Sequence, residues 1–147
     1  MNLEDVFSPV EIVRKAINCF NGLNISVNET DDDIYPNQDG KAIEIEDWIY
    51  LYPVKTLVRH NGISPTAYQE RRWIVTYGYI VPGVRYYRDG SGEPDDWDEK
   101  ELASEVTLTK AIHVAAETMY SHSINAVLEN MDYEVMAKEE VEQCETL

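Results

Sequence analysis

Few residues in this chain are spaced for chemistry. Pro94-Asp95 followed by Asp98-Glu99-Lys100 has the look of a nuclease signature, in which two carboxylates hold a metal and a lysine sits beside the attacking water. Only two residues separate Asp95 from Asp98, in a turn-rich stretch, so adjacent strands could not present them as that chemistry needs. Asp89, Ser91, Glu93 and Asp95 place oxygen ligands at alternate positions, as calcium loops do. The sixth and twelfth places of an EF-hand loop would hold Pro94 and Lys100 instead of Gly and Glu. His60, His113 and His122 lack the i, i+4 spacing of a zinc helix and have no cysteine near them. Cys19 falls on an apolar helix face, unsuited to a nucleophile. No nucleophile elbow, phosphate loop or dinucleotide fingerprint is present. The residues therefore point to no enzyme and no cofactor.

Charge is the stronger signal. The net charge is −16. Residues 29–47 carry eight acids against one lysine, residues 89–105 eight against one, and residues 129–147 seven against one. Between the first two blocks, residues 48–88 carry six Lys/Arg against the single Glu70. A charge this far from neutral bears on solubility and partners rather than on fold. It disfavours anionic membranes and bare nucleic acid. Arg71, Arg72, Trp73, Tyr77, Tyr79 and Arg85-Tyr86-Tyr87-Arg88 do interleave cation and ring, a pattern that can stack single strands. The flanking acidic blocks oppose that attraction. Pairing of these arginines with the acids, or with an acidic block of another copy, is the competing expectation.

The elements that must carry these groups follow from periodicity. Ser8-Pro9-Val10-Glu11 is a helix start with a capping box, and Val10, Val13, Ile17 and Phe20 continue at helical spacing until Asn21-Gly22. Ile25 and Val27 suit a short strand before an acidic loop that turns at Asp39-Gly40. Residues 42–52 alternate as one strand with a bulge near Asp47, limited by Pro53 or put at an edge by it. Val54–His60 extends it, and Asn61-Gly62 with Ser64-Pro65 marks a turn. Arg72–Val81 is the strongest strand. Pro82-Gly83 turns the chain into a returning strand at Val84–Arg88, residues 89–98 form a loop, and Asp98-x-x-Glu101 starts a short helix. A long helix covers about Thr107–Glu129, with Leu108, Ile112, Ala115, Met119, Val127 and Met131 along one side and a weak point at Ser121-His122-Ser123. The fold class is α+β: an antiparallel meander of about four strands, flanked by an N-terminal and a long C-terminal helix. Residues 1–138 read as one domain and 139–147 as a frayed acidic tail. At 147 residues the chain can bury a real core.

Ten Tyr and three Trp against two Phe favour side chains with an apolar ring and a polar tip, suited to interfaces. No secretory leader and no membrane-length apolar run is legible, and Cys19 and Cys144 suit free thiols in a reducing cytosol. The expected location is cytoplasmic.

The run Pro82-Gly83-Val84-Arg85-Tyr86-Tyr87-Arg88-Asp89-Gly90-Ser91-Gly92-Glu93-Pro94 resembles small accessory proteins encoded by tailed bacteriophages, over about residues 72–100. The resemblance implies a bacterial host cytoplasm and transfers no catalytic residue. In charge the chain is similar to host-directed inhibitors of that group, some of which offer carboxylates in place of DNA phosphates. The expectation is a non-enzymatic inhibitor that occludes a basic nucleic-acid-binding surface of a host protein. Its contacts would come from Asp31, Asp32, Asp33, Asp95, Asp96, Asp98, Glu99, Glu101, Glu139 and Glu140, with Tyr35 and Trp97 as anchors. The alternatives are an assembly subunit that oligomerises through its aromatic sheet and a metal-assisted enzyme using residues 89–98.

Overall fold

The computed structural model describes residues 3–20, 22–59, 67–83 and 88–145. The turn expected at 61–65, His60, and all of the strand expected at Val84–Arg88 except Arg88, which lies in a turn, fall outside them. The chain divides into two units, residues 1–114 and 115–147.

The first unit is a five-stranded antiparallel meander in the order β1 to β5, preceded by a helix. Helix α1 (Pro9–Ile17) begins as its capping residues predict. Pro9 takes the first helical position, and the Glu11 carboxylate accepts the Ser8 N–H at 3.4 Å. It stops earlier than periodicity suggests. The Asn18 side chain donates to the carbonyls of Arg14 and Ile25 and accepts the Ile25 N–H at 2.7 Å, which turns the chain toward β1 (Val27–Thr30). Cys19 and Phe20 thus lie past the helix and are exposed, not on its apolar face.

Residues 42–52 form two strands rather than one with a bulge. β2 (Ala42–Ile45) and β3 (Ile49–Arg59) are joined by a tight turn in which Glu46 and Asp47 both take left-handed φ, 50° and 61°. That pair of dihedrals is what a type I′ hairpin turn requires, met here without Gly or Asn. Pro53 is neither a terminus nor on an outer strand. It sits mid-strand in the central β3, opposite Trp73. β2 has ended by then, at Leu51↔Ile43. On that side the Pro53 carbonyl accepts the Asp39 N–H at 2.8 Å, and the Lys55 N–H reaches the Asn37 carbonyl at 3.0 Å. The missing proline N–H therefore interrupts no strand-to-strand bond.

β4 (Ala67–Val81) pairs with the whole of β3 through residues 67–77. Its other neighbour is β5 (Asp96–Val106), which leaves 89–95 as the expected loop but replaces its last residues and the capped helix expected from Asp98. Two register shifts beside Trp73–Thr76, with Glu105 at φ 54°, bend this pairing. Ile43, Ile45, Ile49, Leu51, Trp73 and Val75 fill one sheet face, with Val13 and Ile17 of α1 buried as well. Ala42, Tyr50, Tyr52, Val54 and Ile74 form a second buried cluster on the other face, covered by Tyr35.

Helix α2 (Leu108–Glu145) is continuous through Ser121–Ser123, where the Ser123 hydroxyl donates to the Met119 carbonyl at 3.0 Å. Thr107 opens it by accepting the Lys110 N–H. The single apolar side expected from Leu108 to Met131 is not maintained. Ala111 and Ala115 are buried, whereas Val127 and Met131 are exposed. Among the described residues no helix is long and apolar enough to cross a membrane.

Candidate acidic-aromatic face

The second sheet face is assembled from four segments. β3 contributes Tyr50 and Tyr52, and β2 contributes Glu44 opposite Tyr50. The loop 31–40 contributes Tyr35. Gln38 holds that loop: its amide donates to the carbonyls of Asp32 and Gly40, and its side-chain oxygen accepts the Ile34 N–H at 3.1 Å. The loop so formed lays the Tyr35 ring edge-on against Tyr52, centroids 5.3 Å apart, and Tyr52 stacks on Tyr50 at 6.2 Å. β5 contributes Glu99 opposite Gly78 and Glu101 opposite Thr76. The buried Tyr52 hydroxyl donates to the Glu99 carboxylate, 2.9 and 3.1 Å from its two oxygens.

Gly78 explains the fifth component. A Cβ there would overlap the ring of Trp97, so the indole lies directly across the glycine backbone. Trp97 stays 47% exposed, and its cross-strand neighbour Ile80 is 63% exposed. An apolar step thus borders the carboxylates on one edge of the face.

The carboxylates set the proton affinity of the tyrosines. Burial, then the Glu99 hydrogen bond and its charge, pushes the Tyr52 phenol far above its ordinary value. Burial, with the charges of Glu44, Glu99, Asp32 and Asp47, pushes Tyr50 up to about 12. Tyr35 is raised by burial and by Glu101 and Glu99. Glu44 is raised chiefly by a hydrogen bond shared with the Asp47 side chain. Every perturbation of this face has one sign: burial raises the three phenols first, and acids from residues 29–47 and 89–105 add to it. Phenols held protonated in this way serve poorly as bases or nucleophiles and well as rigid hydrogen-bonding contacts.

The sequence-predicted residues divide accordingly. Asp32, Tyr35, Trp97, Glu99 and Glu101 belong to this face. Asp31 and Asp33 are exposed on the same loop, Asp31 lying 3.6 Å from Lys41. Asp95 sits just before β5, accepting the Gly83 N–H at 3.0 Å. Asp96 and Asp98 alternate to the opposite face, where Asp98 accepts the Tyr79 hydroxyl at 3.2 Å. Glu139 and Glu140 lie in the second unit, exposed on α2. Tyr50, Tyr52, Glu44, Gln38 and Gly78 were missed. A lone glycine inside the alternating run 72–81 was the legible sign of a close approach there.

The other motifs resolve into local structure. Asp89 accepts the N–H and hydroxyl of Ser91 at 2.9 and 2.6 Å, bonds that hold its carboxyl below the usual range, in a turn with Gly90 at φ 88°. Among the described residues no group of three or more His, Cys, Asp and Glu gathers as a metal site. Arg71 pairs with Asp39 at 3.2 Å and Arg72 with Glu70 at 2.7 Å. Trp73 is buried, so it is not part of a cation-ring platform; Arg85, Tyr86 and Tyr87 lie outside the described residues. No protein-family model matches the chain, and neither curated proteins nor solved structures yield a match.

Proposed function

We propose that this chain is a non-enzymatic binding protein that docks its acidic-aromatic sheet face on a basic, nucleic-acid-binding groove of a partner protein and so excludes the nucleic acid. The observation that carries the reading is the convergence of two acidic blocks, distant in sequence, around one cluster of rings. An exposed Trp97–Ile80 step beside Glu99 and Glu101 has the composition of an interface anchor with a charged rim. Opposite charge would steer encounter and make affinity fall with salt. The resemblance of residues 72–100 to phage accessory proteins directs the search to bacterial nucleic-acid enzymes, in the host cytoplasm.

The test is a tagged pull-down from bacterial lysate at low and high salt, read by mass spectrometry, with wild type and a Trp97→Ala/Glu101→Lys variant. The reading expects one basic nucleic-acid-binding protein, released by salt or competing DNA and not retained by the variant. Recovery of the bait alone, or equal capture by the variant, would overturn it.

A further inference from the structure

The second unit poses a separate physical problem. Residues 120–141 of α2 are exposed at every position, yet the segment is not polar. Ile124, Leu128, Met131 and Val135 recur at alternating spacings of four and three, and each is between 40 and 55% exposed. Tyr120, Val127 and Val141 flank that stripe on one side, also exposed. A lone helix gains little stability in water from its own hydrogen bonds, and helices of this kind persist by burying an apolar stripe. The spacing is that of a coiled-coil seam, with Leu128 and Val135 at one core position and Ile124 and Met131 at the other.

Charge decides what covers it. In a parallel pair, Glu134 of one helix would flank Glu139 of the other, twice by symmetry, and Lys138 would face Lys138 in the seam. In an antiparallel pair centred on the stripe, Ile124 meets Val135 and Leu128 meets Met131. Along the flanks Tyr120 then meets Val141, Val127 meets Glu134 and Asn125 meets Asp132, while in the seam Lys138 meets Ser121. No like charges oppose each other over residues 118–141. The stripe is complementary to its own reverse, the condition for a closed twofold contact.

We propose that residues 118–141 pair with the same segment of a second copy as an antiparallel coiled coil, through Ile124, Leu128, Met131 and Val135. This stands independently of the docking face in residues 1–114.

Light scattering on the full chain during size exclusion should give twice the 16.9 kDa chain mass. A Leu128→Asp/Met131→Asp variant should return to the single mass and lose far-ultraviolet helical signal, while Trp73 fluorescence reports that the sheet remains folded. Orientation is read from nitroxides at E140C in a C19S/C144S background. The antiparallel pair offsets the two labels by about 32 Å along the axis, from 21 helical rises, whereas a parallel pair leaves them level and separated only by the width of the helix pair. A monomeric wild type, an unchanged mass in the double variant, the short distance, or capture of a different protein by this stripe in place of self-association would each overturn the proposal.

Discussion

At the residue scale, the site is governed by Tyr52 and Glu99. A buried phenol can give its proton to a carboxylate bond only while it remains neutral, so ionising Tyr52 would set a phenolate against Glu99 in a partly dry setting. The folded proton affinities of Tyr50 and Tyr52 lie above the ordinary value of 10.0. For a raised group, the stabilisation is complete below the unfolded value and is lost as pH climbs through the folded one. Phenolate absorbance should therefore rise in two phases. The late phase belongs to Tyr50 and Tyr52, which titrate only at about pH 12 and beyond, together with loss of the folded state. Tyr52→Phe should diminish the late phase. A single phase at the ordinary value, with the fold intact, would show these rings to be accessible.

At the scale of elements, the contact between β4 and β5 turns on Gly78. Adding one methyl group puts a Cβ into the Trp97 ring, and either the indole swings out or the strands separate. Gly78→Ala should destabilise the protein by about 1–3 kcal/mol, the usual cost of overpacking, as measured by urea unfolding. Trp97 emission should shift to the red. A neutral result would mean that the indole does not rest on the glycine. The same strand shows which parts of the fold were legible. α1 could be read at its start because Ser8, Pro9 and Glu11 act locally. Its end could not, because Asn18 stops it through bonds to Ile25, which no helical period records. β5 was unreadable for a related reason. Asp96-Trp97-Asp98-Glu99-Lys100 has no alternation of apolar and polar residues, and its extended form comes from pairing with β4. The Glu46-Asp47 turn was hidden because neither residue is the Gly or Asn that usually marks left-handed φ. Of the site, the charge and the rings of Tyr35 and Trp97 were visible. The tyrosines beneath them were not, since alternation assigns Tyr50 and Tyr52 to a face without saying what covers it.

For the whole molecule, the excess of acid has a cost as well as a use. A net charge of −16, with acids drawn from two blocks onto one face, means that folding brings like charges together. Raising sodium chloride from about 0.01 M to about 1 M shrinks the screening length from roughly 30 Å to roughly 3 Å. The melting temperature should rise with it, by about 3 °C for each 1 kcal/mol of repulsion relieved. A melting temperature that falls with salt would show that ion pairs such as Arg71–Asp39 outweigh the repulsion. Partner binding, in contrast, should weaken over the same range, so the two responses to one titration separate the fold from its proposed use.

The loop at residues 37–39 has a consequence for how copies of the sheet meet. Where β2 ends, β3 would otherwise present bare backbone at positions 53 and 55, a template on which a foreign strand could grow. Pro53 offers no N–H there, and Asp39 occupies its carbonyl. Asn37 takes both groups of Lys55, its carbonyl accepting the N–H and its side-chain amide donating to the carbonyl at 3.1 Å. On the margin beyond β1, Arg14 claims the Val27 carbonyl at 2.7 Å. The far margin, β5, carries five acids against Lys100 and repels its like. The meander is thus plugged by a proline and an asparagine, clasped by an arginine and fended off by carboxylates, which guards it against the edge-to-edge stacking that drives β proteins into fibrils.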